Sequence, residues 1–195
     1  MKFVGRSYAV GAVFGLLAVV SFSVLYTVAA SNDPSYTFLE NYLSDLGVGP
    51  WAWAFNSALM LSGTLIALFS LLGLYPLLGR SLPSRAGTGL LTVSGVLLVN
   101  VGIFTEDAGD THFVFSIAFF LTLLAALCAL TFALHVTDAL GRAGTAISAS
   151  VFVFGLILLS IGLGPFSETL AVLAALAWGA VIAALMLAKA RPVRT

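Results

Sequence analysis

Three carboxylates and a histidine fall within one ten-residue stretch, Phe104–Phe113, which reads FTEDAGDTHF. Carboxylate oxygens and an imidazole nitrogen can together hold a divalent metal ion that activates a water molecule, or they can bind a polar headgroup. The same stretch could equally be a solvated turn between two membrane spans, because loops concentrate both polarity and function. The sequence leaves these two interpretations open. The titratable residues in question are Glu106, Asp107, Asp110 and His112.

The rest of the chain is strongly apolar. Hydrophobic residues make up 61% of the 195 residues and charged residues 8%, and the mean hydropathy is +1.12. This composition is typical of an integral membrane protein. A bilayer span needs about 20 apolar residues, and six stretches meet that length, near 7–29, 51–78, 86–105, 112–136, 144–163 and 167–188. The sequence therefore predicts an all-α membrane protein, with residues 1–195 forming a single six-transmembrane-helix bundle.

The charged residues are sorted by side. All eight Lys and Arg residues lie before span one, after span six or in the even-numbered loops, namely Lys2, Arg6, Arg80, Arg85, Arg142, Lys189, Arg191 and Arg194. Every acid except Asp138 lies on the other side, namely Asp33, Glu40, Asp45, Glu106, Asp107, Asp110 and Glu168. Because basic loops stay in the cytoplasm, we predict a multi-pass protein of the cell membrane with both termini cytoplasmic and an acidic outer face.

The first outer loop is long enough to hold structure of its own. Its apolar and aromatic residues recur at helical spacing, at Phe38, Leu39, Tyr42, Leu43 and Leu46. The spacing predicts a short amphipathic helix on the outer membrane surface, beginning at Asp33-Pro34 and ending at Gly47. The end of this helix would bring Ser44 and Asp45 to the mouth of span two.

Two asparagines lie inside spans at matching depth. Asn56 is six residues after Pro50 and Asn100 is six residues before Glu106, so both are predicted about 9 Å below the outer rim at helical rise. A buried amide needs a hydrogen-bond partner, and we expect the two to face each other or a common water-filled pocket. Hydrogen bonding between helices would account for them equally well. No Asp, Glu, Lys or Arg lies near the middle of a span, which disfavours ion-coupled transport.

Several short motifs follow one another along the chain, namely Leu43-Ser-Asp-Leu-Gly47, Phe55-Asn56, Gly95 to Phe104 with Glu106-Asp107, His112, and Glu168 at the start of a helix that contains Trp178. In this succession, from about residue 7 to residue 188, the chain resembles the prokaryotic six-span family catalogued as domain of unknown function 998. The approach to span two is also similar to that of the DRAM/Sfk and GPI-anchor-remodelling membrane proteins. The first resemblance implies a six-span fold without an established activity, and the second implies a link to lipid handling.

Three functions follow from these residues. We favour a non-catalytic protein that binds a lipid headgroup or organises the membrane, because no complete catalytic constellation can be assembled. An outer-leaflet hydrolase or lipid-modifying enzyme is the alternative, and a small-solute transporter or channel is a second. The outward-facing acidic pocket is predicted from Ser44, Asp45, Asn56, Asn100, Glu106, Asp107, His112 and Glu168.

Cofactor and partners follow from the same residues. The enzyme alternative implies one divalent metal ion as cofactor, with Asp45, Glu106, Asp107, His112 and Glu168 as candidate ligands. A single histidine among carboxylates suits calcium, magnesium or manganese better than zinc. The expected partners are the lipid bilayer and a specific lipid, and no nucleic acid is expected. Whether the protein is catalytic, and its oligomeric state, stay open.

Overall fold

Six helices of the computed structural model, which describes residues 2–162 and 164–190, are long and apolar enough to cross a membrane. They are α1 (Lys2–Ser31), α2 (Ala52–Leu78), α3 (Leu82–Ile103), α4 (Asp110–Thr137), α5 (Gly141–Ile161) and α6 (Pro165–Ala190). Two short 3₁₀ helices, Leu43–Gly47 and Glu106–Ala108, lie in the loops, and the described residues contain no strand. The predicted six-helix bundle is confirmed, and the chain is a multi-pass membrane protein.

The helices end where the backbone chemistry requires it. α3 begins four residues before its predicted start because the Ser81 side chain accepts a hydrogen bond from the Ser84 N–H at 3.3 Å and caps it. Gly109 and Gly162 take φ values of 58° and 106°, a region that glycine enters without strain. These two turns allow α4 and α6 to begin directly after the preceding span.

The helices pack mainly in chain order. Each of α1 to α5 contacts the next helix, and α6 returns to α1, so that the six form a closed ring. The contacts between α1, α2 and α3 are the closest, whereas α4 and α6 face each other across the ring without packing together. The α4 to α6 half of the bundle is therefore loosely filled.

Glycines allow the closest contacts of the ring. A side-chain carbon at Gly63 would lie 2.5 Å from the Gly95 carbonyl oxygen, and one at Gly95 would lie 2.6 Å from the Gly63 carbonyl oxygen. Gly11 of α1 lies against the backbone of Gly73 in the same way. These small residues bring backbones together within the chain.

One turn of α2 is wider than the rest. Residues Ser70–Leu74 form a π-helical segment just before Pro76, which has no N–H and whose ring would clash with a carbonyl one turn earlier. The Ser70 hydroxyl donates to the Thr88 carbonyl of α3 at 2.7 Å. The wider turn accommodates the proline without ending the helix.

The two ends of the bundle differ in charge. We call acidic end the one formed by residues 32–51, residues 104–109 and the start of α6, and basic end the opposite one. Arg80, Arg85, Arg142 and Lys189 are exposed at the basic end, whereas Arg191 and Arg194 lie outside the described residues. A cluster that includes Leu130, Leu134, Ile182 and Met186 fills the half of the bundle nearer the basic end.

The predicted loop helix needs correction at its start. The loop does hold a short helix that ends at Gly47, but it is a 3₁₀ helix that begins at Leu43, whereas residues 32–42 form turns. Asp33 is buried, and its carboxylate accepts hydrogen bonds from the Ser35 N–H at 3.0 Å and hydroxyl at 2.6 Å. This local turn competes with a helix at Asp33-Pro34.

Candidate functional site

The 3₁₀ helix Leu43–Gly47 is fixed over the acidic end by its own residues and by α6. Leu43 and Leu46 are buried among apolar side chains. Asp45 accepts hydrogen bonds from the Tyr42 N–H at 3.1 Å and the Asn41 side chain at 3.0 Å. The Leu43 N–H donates to the Glu168 carboxylate at 2.8 Å. This last bond joins the first loop to the start of the last helix.

Three carboxyl groups from separate parts of the chain meet beneath this helix. Burial raises the pKa of Glu106, and the charge of Asp45 and a hydrogen bond with its carboxyl group raise that pKa further. Two carboxyl groups share a hydrogen bond only when one of them is protonated. Glu168 lies within electrostatic range of both. The arrangement therefore retains a proton and favours a bound cation or hydrogen-bond donor.

His112 begins α4 with both ring nitrogens engaged. Its Nδ1 lies 2.7 Å from the Phe104 carbonyl oxygen, and its Nε2 lies 3.3 Å from the Ser116 hydroxyl. Because a carbonyl oxygen only accepts, Nδ1 carries the proton, and in the neutral ring Nε2 accepts from Ser116. The tautomer is thus set by the end of α3, which leaves Ser116 to mediate contacts with a neighbouring molecule.

A cavity of about 450 Å³ lies between α4, α5 and α6. We call it the lateral cavity, because its lining residues Phe113, Leu121 and Leu159 are also well exposed at the side of the bundle. Its polar lining is confined to the acidic end, in Tyr42, Ser44, Glu106, His112, Ser116, Ser167 and Glu168. Deeper walls are apolar, from Leu127 of α4, Val151 of α5 and Ala175 of α6. The cavity is amphipathic along its length.

A second cavity of about 110 Å³ runs through the centre of the ring. This central cavity is lined mostly by apolar residues of α1, α2, α3, α4 and α6, among them Phe22, Phe55, Phe69, Leu98 and Trp178. The two cavities share six lining residues, namely Ser44, Ser116, Phe120, Leu123, Glu168 and Ala175. A single layer of side chains thus divides the two spaces between α4 and α6.

The structure brings together some of the residues predicted for the site. Ser44, Glu106, His112 and Glu168 line the lateral cavity, and Asp45 lies beside Glu106. Asp107 is instead exposed and accepts a hydrogen bond from the Thr105 hydroxyl. The functional role of all of these residues stays a prediction.

The two asparagines have separate partners. Asn56 donates to the Gly47 carbonyl at 2.9 Å and so ties α2 to the loop helix. Asn100 donates to the Val96 carbonyl of its own helix at 2.8 Å. Neither belongs to the lining of the two cavities. Hydrogen bonding to backbone satisfies both amides without a shared pocket.

The candidate metal ligands do not converge. In the described part of the chain, no three His, Cys, Asp or Glu side chains are close enough together to hold a metal ion. Asp107 points away from the carboxyl groups of Asp45 and Glu106, and both ring nitrogens of His112 have other partners. The geometry of these five residues does not favour the metal-dependent alternative.

Sequence reasoning missed Ser116, Tyr42 and the apolar walls. Ser116 lies four residues after His112, hence on the same face of α4, and this spacing could have identified it. The apolar lining residues resemble any other residues of a span, so no sequence signal separates them from residues that face lipid.

Comparison with known proteins identifies one family. The family described as "Protein of unknown function (DUF998)" matches residues 16–189. No curated protein and no solved structure matches the chain. The more distant resemblance to DRAM/Sfk and GPI-anchor-remodelling proteins stays a prediction.

Proposed function

The chain belongs to the DUF998 family, whose description assigns no activity, and we propose that it is a lipid-binding membrane protein. A headgroup would lie at the acidic end, and a hydrocarbon chain would occupy the lateral cavity. One observation carries the proposal: the polar lining of that cavity is confined to one end and the remaining walls are apolar. Ligand sites are typically concave, mostly apolar and supplied with a few convergent polar groups.

The polar lining favours a particular class of headgroup. It consists of carboxyl groups, hydroxyl groups and the imidazole of His112, and no Lys or Arg is among the lining residues. An anionic headgroup would meet like charge there, whereas an ammonium or hydroxyl headgroup would donate hydrogen bonds to Glu106 and Glu168. We therefore propose a headgroup that is rich in hydrogen-bond donors.

We also propose that the acidic end faces outward from the cell membrane and that both termini are cytoplasmic. The exposed Arg80, Arg85, Arg142 and Lys189 at the basic end support this orientation, because basic loops remain on the cytoplasmic side. The headgroup would then belong to the outer leaflet.

The test is lipid retention by the full chain, purified in a mild detergent and analysed by native mass spectrometry. The double variant Glu106→Gln/Glu168→Gln should lose lipid affinity about tenfold, since 1.4 kcal/mol is the lower end for hydrogen bonds to charged groups. The control Glu40→Gln/Asp110→Asn removes two exposed acids of the same end and should retain lipid as the natural chain does. A natural chain that retains no lipid, or a double variant that retains as much, would refute the proposal.

A further inference from the structure

The two cavities meet at one polar mouth. Ser44 and Glu168 belong to the lining of both, and both residues lie at the acidic end. From there the lateral cavity follows the α4, α5 and α6 walls and the central cavity follows the axis of the ring. One headgroup held at Ser44 and Glu168 is therefore adjacent to two separate apolar spaces.

Both spaces are long enough for a hydrocarbon chain. The central cavity is lined by α2 from Phe55 to Phe69, and the lateral cavity by α4 from His112 to Leu127. At the rise of an α-helix these stretches span roughly 21 Å and 22 Å. One leaflet contributes about half of the 30 Å hydrocarbon core, so each cavity is deeper than a leaflet.

The wall between the cavities consists of side chains alone. Phe120 and Leu123 of α4 and Ala175 of α6 contribute to both linings, and the two helices do not pack against each other. A molecule with two chains could therefore straddle this wall with one chain on each side. A molecule with one chain would leave the other apolar space without contacts, which forfeits dispersion energy along its length.

From this geometry we propose that the occupant is a two-chain lipid with its headgroup at Ser44 and Glu168, one chain in the lateral cavity and the other in the central cavity. This inference rests on the proposed function and specifies its ligand class. The contacts with Phe120 and Leu123 then lie between the two chains and set their separation.

Trp178 provides a direct readout of the central cavity. It lines that cavity, is 4% exposed, and donates from its indole nitrogen to the Ser148 hydroxyl at 2.9 Å. The chain has three tryptophans, so the replacements Trp51→Phe and Trp53→Phe leave Trp178 as the single one. A brominated lipid chain quenches tryptophan fluorescence only at contact, and bulk lipid does not reach this buried ring.

Three consecutive residues of α6 supply the matched variants. Ala171 lines only the lateral cavity, Val172 lines only the central cavity, and Leu173 is 47% exposed and lines neither. Val172→Phe would fill the central cavity, and Leu176→Phe serves the same purpose if that variant does not fold. Leu173→Phe adds a ring on the outside of the helix and is the control.

The experiment uses the full single-tryptophan chain in vesicles that contain diacylglycerol with two brominated chains. Trp178 should lose most of its fluorescence, Val172→Phe should abolish the quenching, and Leu173→Phe should leave it intact. Ala171→Phe should weaken the quenching as well, because a two-chain lipid needs both spaces. Monoacylglycerol with a brominated chain should quench far less than diacylglycerol.

Each contrary result has a defined meaning. Unquenched Trp178, quenching that persists in Val172→Phe and Leu176→Phe, or equal quenching by monoacylglycerol would overturn the two-chain inference. If lipid is still retained in the native mass spectra, only this inference fails. If no lipid is retained, the proposed function fails with it.

Discussion

Replacing Glu168 with alanine should release the first loop from the last helix. The Glu168 carboxylate accepts the Leu43 N–H at 2.8 Å, and Leu43 is only 4% exposed. Without the acceptor a buried N–H loses its partner, which costs about 1–3 kcal/mol. Because 1.4 kcal/mol corresponds to a factor of ten, local opening of the Leu43–Gly47 helix should become about ten to a hundred times more frequent.

Hydrogen exchange at the Leu43 amide measures this opening, since protection reports the free energy of local unfolding. Glu168→Ala should accelerate exchange by that factor, and Glu168→Gln should have a smaller effect because its amide oxygen still accepts. Glu40→Ala, an exposed acid in the same loop, is the control. Unchanged protection of Leu43 in Glu168→Ala, or equal loss in the control, would refute the role of this hydrogen bond.

Three further predictions concern charge, packing and topology. Because burial and Asp45 raise the pKa of Glu106, the folded state binds its proton more tightly, so stability should fall as pH rises from the ordinary carboxyl pKa through the raised one. Glu106→Gln should remove that fall in thermal unfolding over a pH series, and Asp110→Asn should keep it. Gly63→Ala should destabilise by about 1–3 kcal/mol because its new carbon overlaps the α3 backbone, whereas Gly89→Ala, with open space around it, should stabilise by about 0.5–1 kcal/mol; denaturant unfolding distinguishes the signs, and equal effects would contradict the packing argument. A cysteine at Ala108 should react with an impermeant thiol reagent in intact cells and one at Arg142 only after permeabilisation, and the reverse pattern would invert the proposed orientation.

The spans could be predicted because bilayer thickness fixes the apolar length of a crossing helix. The proximity of Glu106 and His112 could also be expected, since a short turn containing Gly109 separates them. Their approach to Ser44 and Glu168 depends on closure of the ring, which brings α6 back to α1. Nothing in the local sequence of these residues encodes that closure.

The asparagines illustrate a different limit. Counting residues gives the depth of Asn56 and Asn100 along their helices but leaves the rotation of each helix free. That rotation is set by the contact of Gly63 with Gly95. In the resulting orientation Asn100 bonds to the Val96 carbonyl of its own helix. Matched depth therefore did not imply a shared partner.

The π-helical turn at Ser70–Leu74 has a consequence for how this chain can change over generations. Such a turn contains one more residue than a regular helix would need, so it behaves as a tolerated insertion. Deleting one residue there would restore a regular helix but rotate everything beyond it by about 100°, given 3.6 residues per turn. Ser70 would then lose its alignment with Thr88, and Gly73 its alignment with Gly11. Length in this part of α2 should therefore vary less among descendants than the identity of its exposed residues.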